Sequence, residues 1–154
     1  MPKQIEDVIR ERGYYMTKTK GTSMYPLIKS DCSDVCIVKI DGEIQKYDVI
    51  LYKRETGEHV LHRVLGKNDG GYICCGDNQW ILEYNVTRDM VLGKLDSWYK
   101  RDKKYTVRDK RYLRYVKFWC KSLKLRKLML KLMRFRYKPK EWCYRVYKKL
   151  FKKG

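Results

Sequence analysis

The spacing of hydrophobic positions changes twice along this chain, after residue 13 and again near residue 109. Ile5, Val8 and Ile9 recur at helical spacing and Gly13 follows them, which predicts a short amphipathic helix over residues 3–12. Beyond the glycine, the chain carries apolar and β-branched runs of strand length. These runs begin at Val35, Val49, Val60, Tyr72 and Val91.

Glycine-containing turn sequences lie between several of these runs, at residues 41–42, 55–57 and 68–71. Short strands joined by hairpin turns predict a mostly β fold, an antiparallel sheet of sandwich or barrel-like form, over roughly residues 14–99. From about Asp109 the spacing is helical again, and Tyr112, Val116 and Trp119 lie on one apolar stripe. Pro139 interrupts the pattern, so two amphipathic helices are predicted, over residues 112–135 and 141–152.

Net charge divides the chain near the start of this second helical region. The sequence carries 37 Lys and Arg against 18 Asp and Glu, a net charge of +19. Residues 1–99 have a net charge of −1, whereas residues 100–154 carry +20. We therefore predict a globular domain over residues 1–99 and a basic helical tail over residues 100–154, and we expect any anionic partner to bind the tail.

The N-terminus and the cysteines indicate the compartment. The first residues, MPKQIEDVIRERG, include acids where an export signal has an apolar run, and no stretch of 18 apolar residues occurs. Six cysteines without an export signal are typical of reduced thiols, so we expect a cytoplasmic protein. Cys74 and Cys75 are adjacent and would point to opposite faces of a strand, which disfavours a zinc site. Neither a metal nor a cofactor is expected.

Two polar segments suggest a nucleophile and a base. Ser23 lies in the turn sequence Gly-Thr-Ser-Met-Tyr-Pro of residues 21–26, where a serine is either a turn residue or a hydroxyl presented at the lip of a cleft. Strand alternation places His62 on one face with Val60 and Val64, and places His59 on the other face. A histidine in this position is either a satisfied polar residue or a base that activates a serine.

A third segment suggests an orienting acid. Asp77 lies in the Gly-Asp-Asn sequence of residues 76–78, directly after a predicted strand. An aspartate there commonly forms an Asx turn. Its catalytic alternative is to accept the second imidazole N–H of His62, which fixes the tautomer and stabilises the imidazolium. The order Ser23, His62, Asp77 favours a common purpose over three separate structural explanations.

The segments that contain these residues resemble the signal peptidase I and repressor-autocleavage superfamily of serine peptidases. The resemblance covers about residues 14–98 and includes residues 46–50 and 91–94 besides the three segments above. It implies a signal-peptidase-type β domain and an endopeptidase that cleaves a leader or precursor peptide, with Ser23 as nucleophile. Because a histidine occupies the base position, the chain is similar to the branch that uses a Ser–His pair.

Further roles are implied by the same resemblance. Asp77 would support catalysis, and Glu83 matches the position of a second acidic residue, for which the family normally has Asp. The backbone N–H of Ser23 would serve as an oxyanion donor, a contact worth about 3–4 kcal/mol in the transition state. We expect a compact form that has neither the membrane anchor of typical signal peptidases nor the helix-turn-helix domain of autocleaving repressors.

Alternatives remain open for both parts of the chain. In one alternative, the domain is not a peptidase but a non-catalytic binding module, or an autocleaving repressor-like protein. Its basic tail then binds an anionic partner. Residues 112–152 fit an anionic membrane surface with Trp119, Trp142 and Phe151 inserted, on the inner face of the cytoplasmic membrane. Alternatively, the apolar stripe packs on the domain and the charges bind an acidic peptide or protein. Nucleic acid is less favoured because no nucleic-acid-binding motif accompanies the charge.

Overall fold

The computed structural model describes residues 4–30 and 33–134. Helix α1, Ile5–Arg12, confirms the predicted N-terminal helix. It ends where Gly13 adopts a φ of 78°, a left-handed conformation that costs a glycine little. Acidic side chains lie in the first turn of α1 and basic side chains in its last turn, which suits the helix dipole.

Within the described ranges, eight strands follow α1 and form one sheet in which every pairing is antiparallel. Their order is β1-β2-β7-β3-β4-β5-β6, and β8 pairs with β7. The strands are β1 (Tyr14–Lys18), β2 (Ser33–Val38), β3 (Val49–Lys53), β4 (His59–Asn68), β5 (Gly71–Cys75), β6 (Glu83–Val86), β7 (Val91–Lys100) and β8 (Lys103–Thr106). The prediction of a mostly antiparallel β fold is confirmed.

The sheet is not closed, so the barrel-like form is wrong. In the described part of the chain, β1 and β6 stand at the two ends of the strand order and do not pair with each other. Register shifts between Cys36 and Ile37 and between Leu51 and Tyr52 occur where β2 and β3 pair with β7. Irregularities of this kind bend strands, but here the bend does not bring the two edges together.

Two apolar clusters lie on the two faces of the sheet, and β4 contributes to both. Val60 and Val64 belong to the second cluster, with Tyr52 of β3, while Leu61 packs against the first. The first cluster also contains residues from the helices, from β2 and from β7: Ile9, Val35, Ile37, Trp98, Tyr112 and Val116. The predicted alternation of β4 is therefore observed, and His62 lies on the side of the valines.

The described part of the basic region contains two helices, one packed on the sheet and one beside the loop after β5. Helix α2 spans Lys110–Trp119, and helix α3 spans residues 123–134, so the helix predicted over residues 112–135 is interrupted at residues 120–122. Tyr112, Val116 and Trp119 of α2 are buried, and β7 continues through residue 99 to pair with β8. Residues 100–119 consequently pack with the sheet. The helix predicted over residues 141–152 lies outside the described residues, as do Trp142 and Phe151.

The expectation that Trp119 inserts into a membrane is wrong. Its side chain is buried, and its indole Nε1 donates a hydrogen bond to the backbone carbonyl of Asp77 at 2.8 Å. The aromatic stripe of α2 covers the sheet, because buried apolar area stabilises the fold wherever it finds a partner. In the ranges that the structure describes, no helix combines the length and the apolar character needed to cross a bilayer.

Candidate active site

Ser23 lies in the turn between β1 and β2, and the loop after β5 holds that turn in place. The backbone N–H of Asn78 donates to the carbonyl oxygen of Ser23 at 2.7 Å, and the Asn78 side-chain amide donates to the carbonyl of Thr22 at 3.1 Å. On the opposite side, Met24 and Ile28 are buried in the first cluster. The backbone at Ser23 is therefore fixed from two directions.

His62 reaches the same place from β4, and Gly76 provides the space. The imidazole is buried, with 4% of the residue exposed. A Cβ atom added at Gly76 would lie 3.1 Å from His62 Nε2 and 2.6 Å from the carbonyl oxygen of Ser23. Only a glycine leaves enough room for the serine turn and the histidine ring to approach each other across this backbone.

Ser23 and His62 line one cavity of about 550 Å³, so the structure brings the expected nucleophile and base to one place. Among the described residues, no hydrogen bond joins the Ser23 hydroxyl to His62. His62 also borders a second cavity of about 480 Å³, whose lining includes Trp80, Leu82 and Arg134. His62 thus lines both cavities, as do Arg54 and Gln79.

The other ring nitrogen of His62 belongs to a hydrogen-bonded chain that ends on a carboxylate. The Tyr52 hydroxyl lies 3.2 Å from His62 Nδ1 and donates its proton to Glu83 Oε2 at 2.6 Å. Because its only hydrogen is donated to Glu83, the Tyr52 oxygen is left to accept a hydrogen bond from Nδ1–H. Neutral His62 therefore carries its proton on Nδ1, and no described residue donates a hydrogen bond to the lone pair on Nε2, the atom next to Gly76.

Arg54 keeps Glu83 ionised at the end of this chain. Its guanidinium donates two hydrogen bonds to the carboxylate, from Nε at 2.8 Å and from Nη2 at 2.6 Å. These bonds from Arg54, together with the bond from Tyr52, hold the pKa of Glu83 below its ordinary value. The result is a fixed negative charge 3.7 Å from His62 Nδ1.

The electrostatic environment keeps His62 neutral. Burial lowers the pKa of His62 below its ordinary value of 6.5, and the nearby carboxylate of Glu83 offsets part of that effect. Burial, reinforced by Glu83, also raises the pKa of Tyr52, so this hydroxyl stays protonated at neutral pH. A neutral imidazole with a free Nε2 has the protonation state that a general base requires.

Asp77 does not take the place that we expected. Its carboxylate forms two hydrogen bonds with Arg63, Nε to Oδ1 at 2.8 Å and Nη2 to Oδ2 at 2.7 Å, and the Tyr115 hydroxyl donates to Oδ2 at 2.9 Å. Asp77 and Arg63 are both fully buried. The expected hydrogen bond from His62 to Asp77 is not formed, because Arg63 and His62 lie on opposite faces of β4.

The C-terminal helices hold the loop that contains Asp77. Besides the bond from Trp119 to the Asp77 carbonyl, Arg126 of α3 donates to the carbonyl of Gly76 at 3.4 Å. Since Asn78 of this loop binds the turn at Ser23, one chain of hydrogen bonds links α2 and α3 to the candidate nucleophile. The basic region is thereby part of the framework of the site.

The remaining candidate residues lie apart from this arrangement. His59 Nε2 is 3.7 Å from Glu6 Oε1 on α1, so His59 faces a different carboxylate from His62. Cys74 and Cys75 are buried, and burial raises the pKa of both thiols, that of Cys74 to about 12. In the described ranges no group of three or more His, Cys, Asp or Glu side chains is arranged to hold a metal ion.

Comparisons with protein-family models, with curated proteins and with solved structures found no match to this chain.

Proposed function

We propose that this chain is a serine endopeptidase of the signal peptidase type that cleaves a leader or precursor peptide. The main support is that Ser23 and a buried, neutral His62 with a free Nε2 line the same cavity. Ser23 Oγ attacks the scissile carbonyl while His62 Nε2 accepts its proton, and the imidazolium then protonates the leaving amine. Water hydrolyses the acyl-enzyme with His62 again acting as base.

Glu83, acting through Tyr52, replaces Asp77 as the orienting acid in this proposal. When His62 becomes an imidazolium, its Nδ1–H donates to the Tyr52 oxygen, and the negative charge of Glu83 stabilises the positive ring. Asp77 instead neutralises the buried guanidinium of Arg63. We assign Tyr52 and Glu83 as positioning residues, because neither touches the reacting atoms.

Peptide binding is supported by the elements around the cavity. Strand β1 is an edge of the sheet, and Tyr15, Thr17 and Lys18 of this strand line the cavity with apolar residues such as Leu51. An open strand edge offers unpaired backbone groups to which an extended peptide binds. Within the described residues the backbone N–H of Ser23 has no hydrogen-bond partner, which suits its proposed use as an oxyanion donor.

A fluorophosphonate probe on the full-length protein tests whether Ser23 is activated. We expect labelling of the wild type, loss of labelling in Ser23→Ala, and retention in the matched control Ser30→Ala, whose hydroxyl donates to the carbonyl of Thr19 in the same segment. His62→Gln should also abolish labelling, whereas His59→Gln should not. A peptide library analysed by mass spectrometry then identifies the cleaved bond.

Two outcomes would contradict the proposal. Labelling that persists in Ser23→Ala would exclude Ser23 as the nucleophile. A wild type that is neither labelled nor cleaves any library peptide, although it is folded, would favour the non-catalytic binding module.

A further inference from the structure

Helix α3 is attached to the end of α2 and to the loop after β5 through a narrow face. Arg126 and Leu130 are buried, and the Arg126 guanidinium donates to the backbone carbonyls of Trp119 at 3.2 Å and of Gly76 at 3.4 Å. These contacts fix the rotation of α3 about its own axis. The helix therefore presents its remaining surface in a defined orientation.

A second apolar stripe lies on the surface of α3 that the domain leaves open. Leu125, Leu128 and Leu132 are 37%, 54% and 60% exposed, and their spacing of three and four residues places them on one face of the helix. Water-facing positions of a helix are normally polar. A row of three exposed leucines is typical of a surface that binds an apolar partner, such as another protein or a membrane.

A cationic stripe runs beside the leucines. Lys124, Lys127, Lys131 and Arg134 recur at spacings of three, four and three residues, and all four are exposed. Residues 110–134 contain no Asp or Glu, so no acidic side chain of α2 or α3 neutralises this stripe. Leucines and cations thus occupy neighbouring sectors of the same helix.

The loop between β5 and β6 packs beside α3 and extends its apolar surface. Lys127 and Arg134 lie over the ring of Trp80, at 5.8 Å and 4.8 Å from its centroid. Ile81, next in sequence, is 76% exposed. Trp80, Ile81 and Arg134 also line the second cavity beside His62. The apolar and cationic surface therefore continues to the rim of the candidate site.

We propose that α3 docks the protein on the surface of an anionic lipid bilayer. The leucine stripe enters the interfacial region parallel to the membrane plane, and the lysines contact the anionic headgroups. Charge complementarity together with the leucines selects this occupant: a nucleic acid would use the cations but leave the leucines in water. Docking in this orientation brings the second cavity close to the bilayer.

Co-sedimentation with lipid vesicles tests this docking, and it is independent of peptidase activity. We expect the full-length protein to bind vesicles of phosphatidylcholine and phosphatidylglycerol, to bind pure phosphatidylcholine weakly, and to lose binding as salt increases. Replacing all three leucines by Gln should weaken binding by roughly tenfold or more. Replacing Lys124, Lys127 and Lys131 by Gln should weaken it by roughly fivefold per lysine.

Matched control variants distinguish binding through this surface from binding through net charge or exposed apolar area alone. Lys39, Lys67 and Lys103 are exposed elsewhere in the fold, and their triple Gln variant has the same net charge as the α3 lysine variant. Tyr14 and Met16, exposed on β1, serve as the apolar control. We expect both controls to bind as the wild type does, and circular dichroism melting verifies that every variant is folded.

Three results would overturn the proposal. One is wild-type vesicle binding by the leucine variant, which would mean that other residues, such as those of the basic C-terminus, do the binding. Another is an equal loss with the distant lysine variant, which would indicate binding by net charge alone. The third is tight, salt-sensitive binding to single-stranded nucleic acid that is unaffected by the leucine variant, combined with no binding to anionic vesicles.

Discussion

Replacing Tyr52 with Phe removes one oxygen atom from the proposed catalytic chain. That oxygen accepts from His62 Nδ1 and donates to Glu83, whereas Glu83 keeps both of its bonds from Arg54. The charges of the site are therefore unchanged by Tyr52→Phe. What changes is the partner of Nδ1–H, which is left buried without a hydrogen-bond acceptor.

The size of the effect follows from that unsatisfied donor. Leaving a buried polar group without a partner costs about 1–3 kcal/mol, and here the cost falls most heavily on the transition state, in which the imidazole becomes a cation. Since about 1.4 kcal/mol corresponds to a factor of ten in rate, we expect Tyr52→Phe to slow the reaction about 5- to 150-fold. Stability should also fall, by about 1–3 kcal/mol, because the folded resting state contains the same unsatisfied donor.

The rate constant for fluorophosphonate labelling measures the first quantity, and urea unfolding measures the second. Tyr72→Phe is the matched control, because Tyr72 is buried in the same apolar cluster but its hydroxyl makes no hydrogen bond to a described residue. Tyr72→Phe should label at the wild-type rate. An unchanged rate in Tyr52→Phe would refute the proposed orientation of His62, and equal slowing in both variants would show that only packing is affected.

Two further substitutions distinguish the roles of the Asp77 and Glu83 carboxylates. Asp77→Asn breaks the buried pair with Arg63 and should lower the free energy of unfolding in urea by about 3–5 kcal/mol. The control Asp48→Asn loses only a partly exposed pair with Lys94 and should change stability little. A stable Asp77→Asn variant with a large loss of labelling would instead assign Asp77 to catalysis. Glu83→Gln removes the charge that raises the pKa of His62, so the rising limb of the pH–rate profile should move to lower pH and the plateau should fall. Because the pKa of folded Glu83 is below 4.5, its stabilising contribution is present above that pH and should disappear as the pH falls through the folded pKa in the wild type, but not in Glu83→Gln.

The local pattern of the sequence was enough to predict the strands with strong apolar runs and the face on which His62 lies. The alternation of faces in β4 depends only on neighbouring residues. A shift of the strand by one residue would move Val60 and Val64 from the buried face to the other face, which is unfavourable. The weaker strands β1, β6 and β8 were missed. β1 and β8 have the sequences YYMTK and KKYT, whose largely exposed positions lack the apolar signal of a core strand.

The partner of His62, in contrast, was decided by tertiary structure. Asp77 and Glu83 are six residues apart, and nothing local says which of them reaches the histidine. Strand β6 pairs Glu83 with Cys74 of β5, and this pairing brings Glu83 to the face of the sheet that carries Tyr52 and His62. Asp77 lies in the preceding loop, where α2 and Arg63 enclose it from the opposite face.

The basic helices show the same division. Helical spacing predicted an apolar stripe with cations between its residues, and that stripe exists. Which surface this stripe packs against depended on the rest of the fold. The sheet has a large apolar face next to α2, so Trp119 and Val116 are buried there. The break at residues 120–122 then sets the direction of α3, and the buried Arg126 fixes its rotation. Periodicity identifies the faces of a helix, whereas only the packed structure determines which face stays exposed, because burial depends on residues distant in sequence.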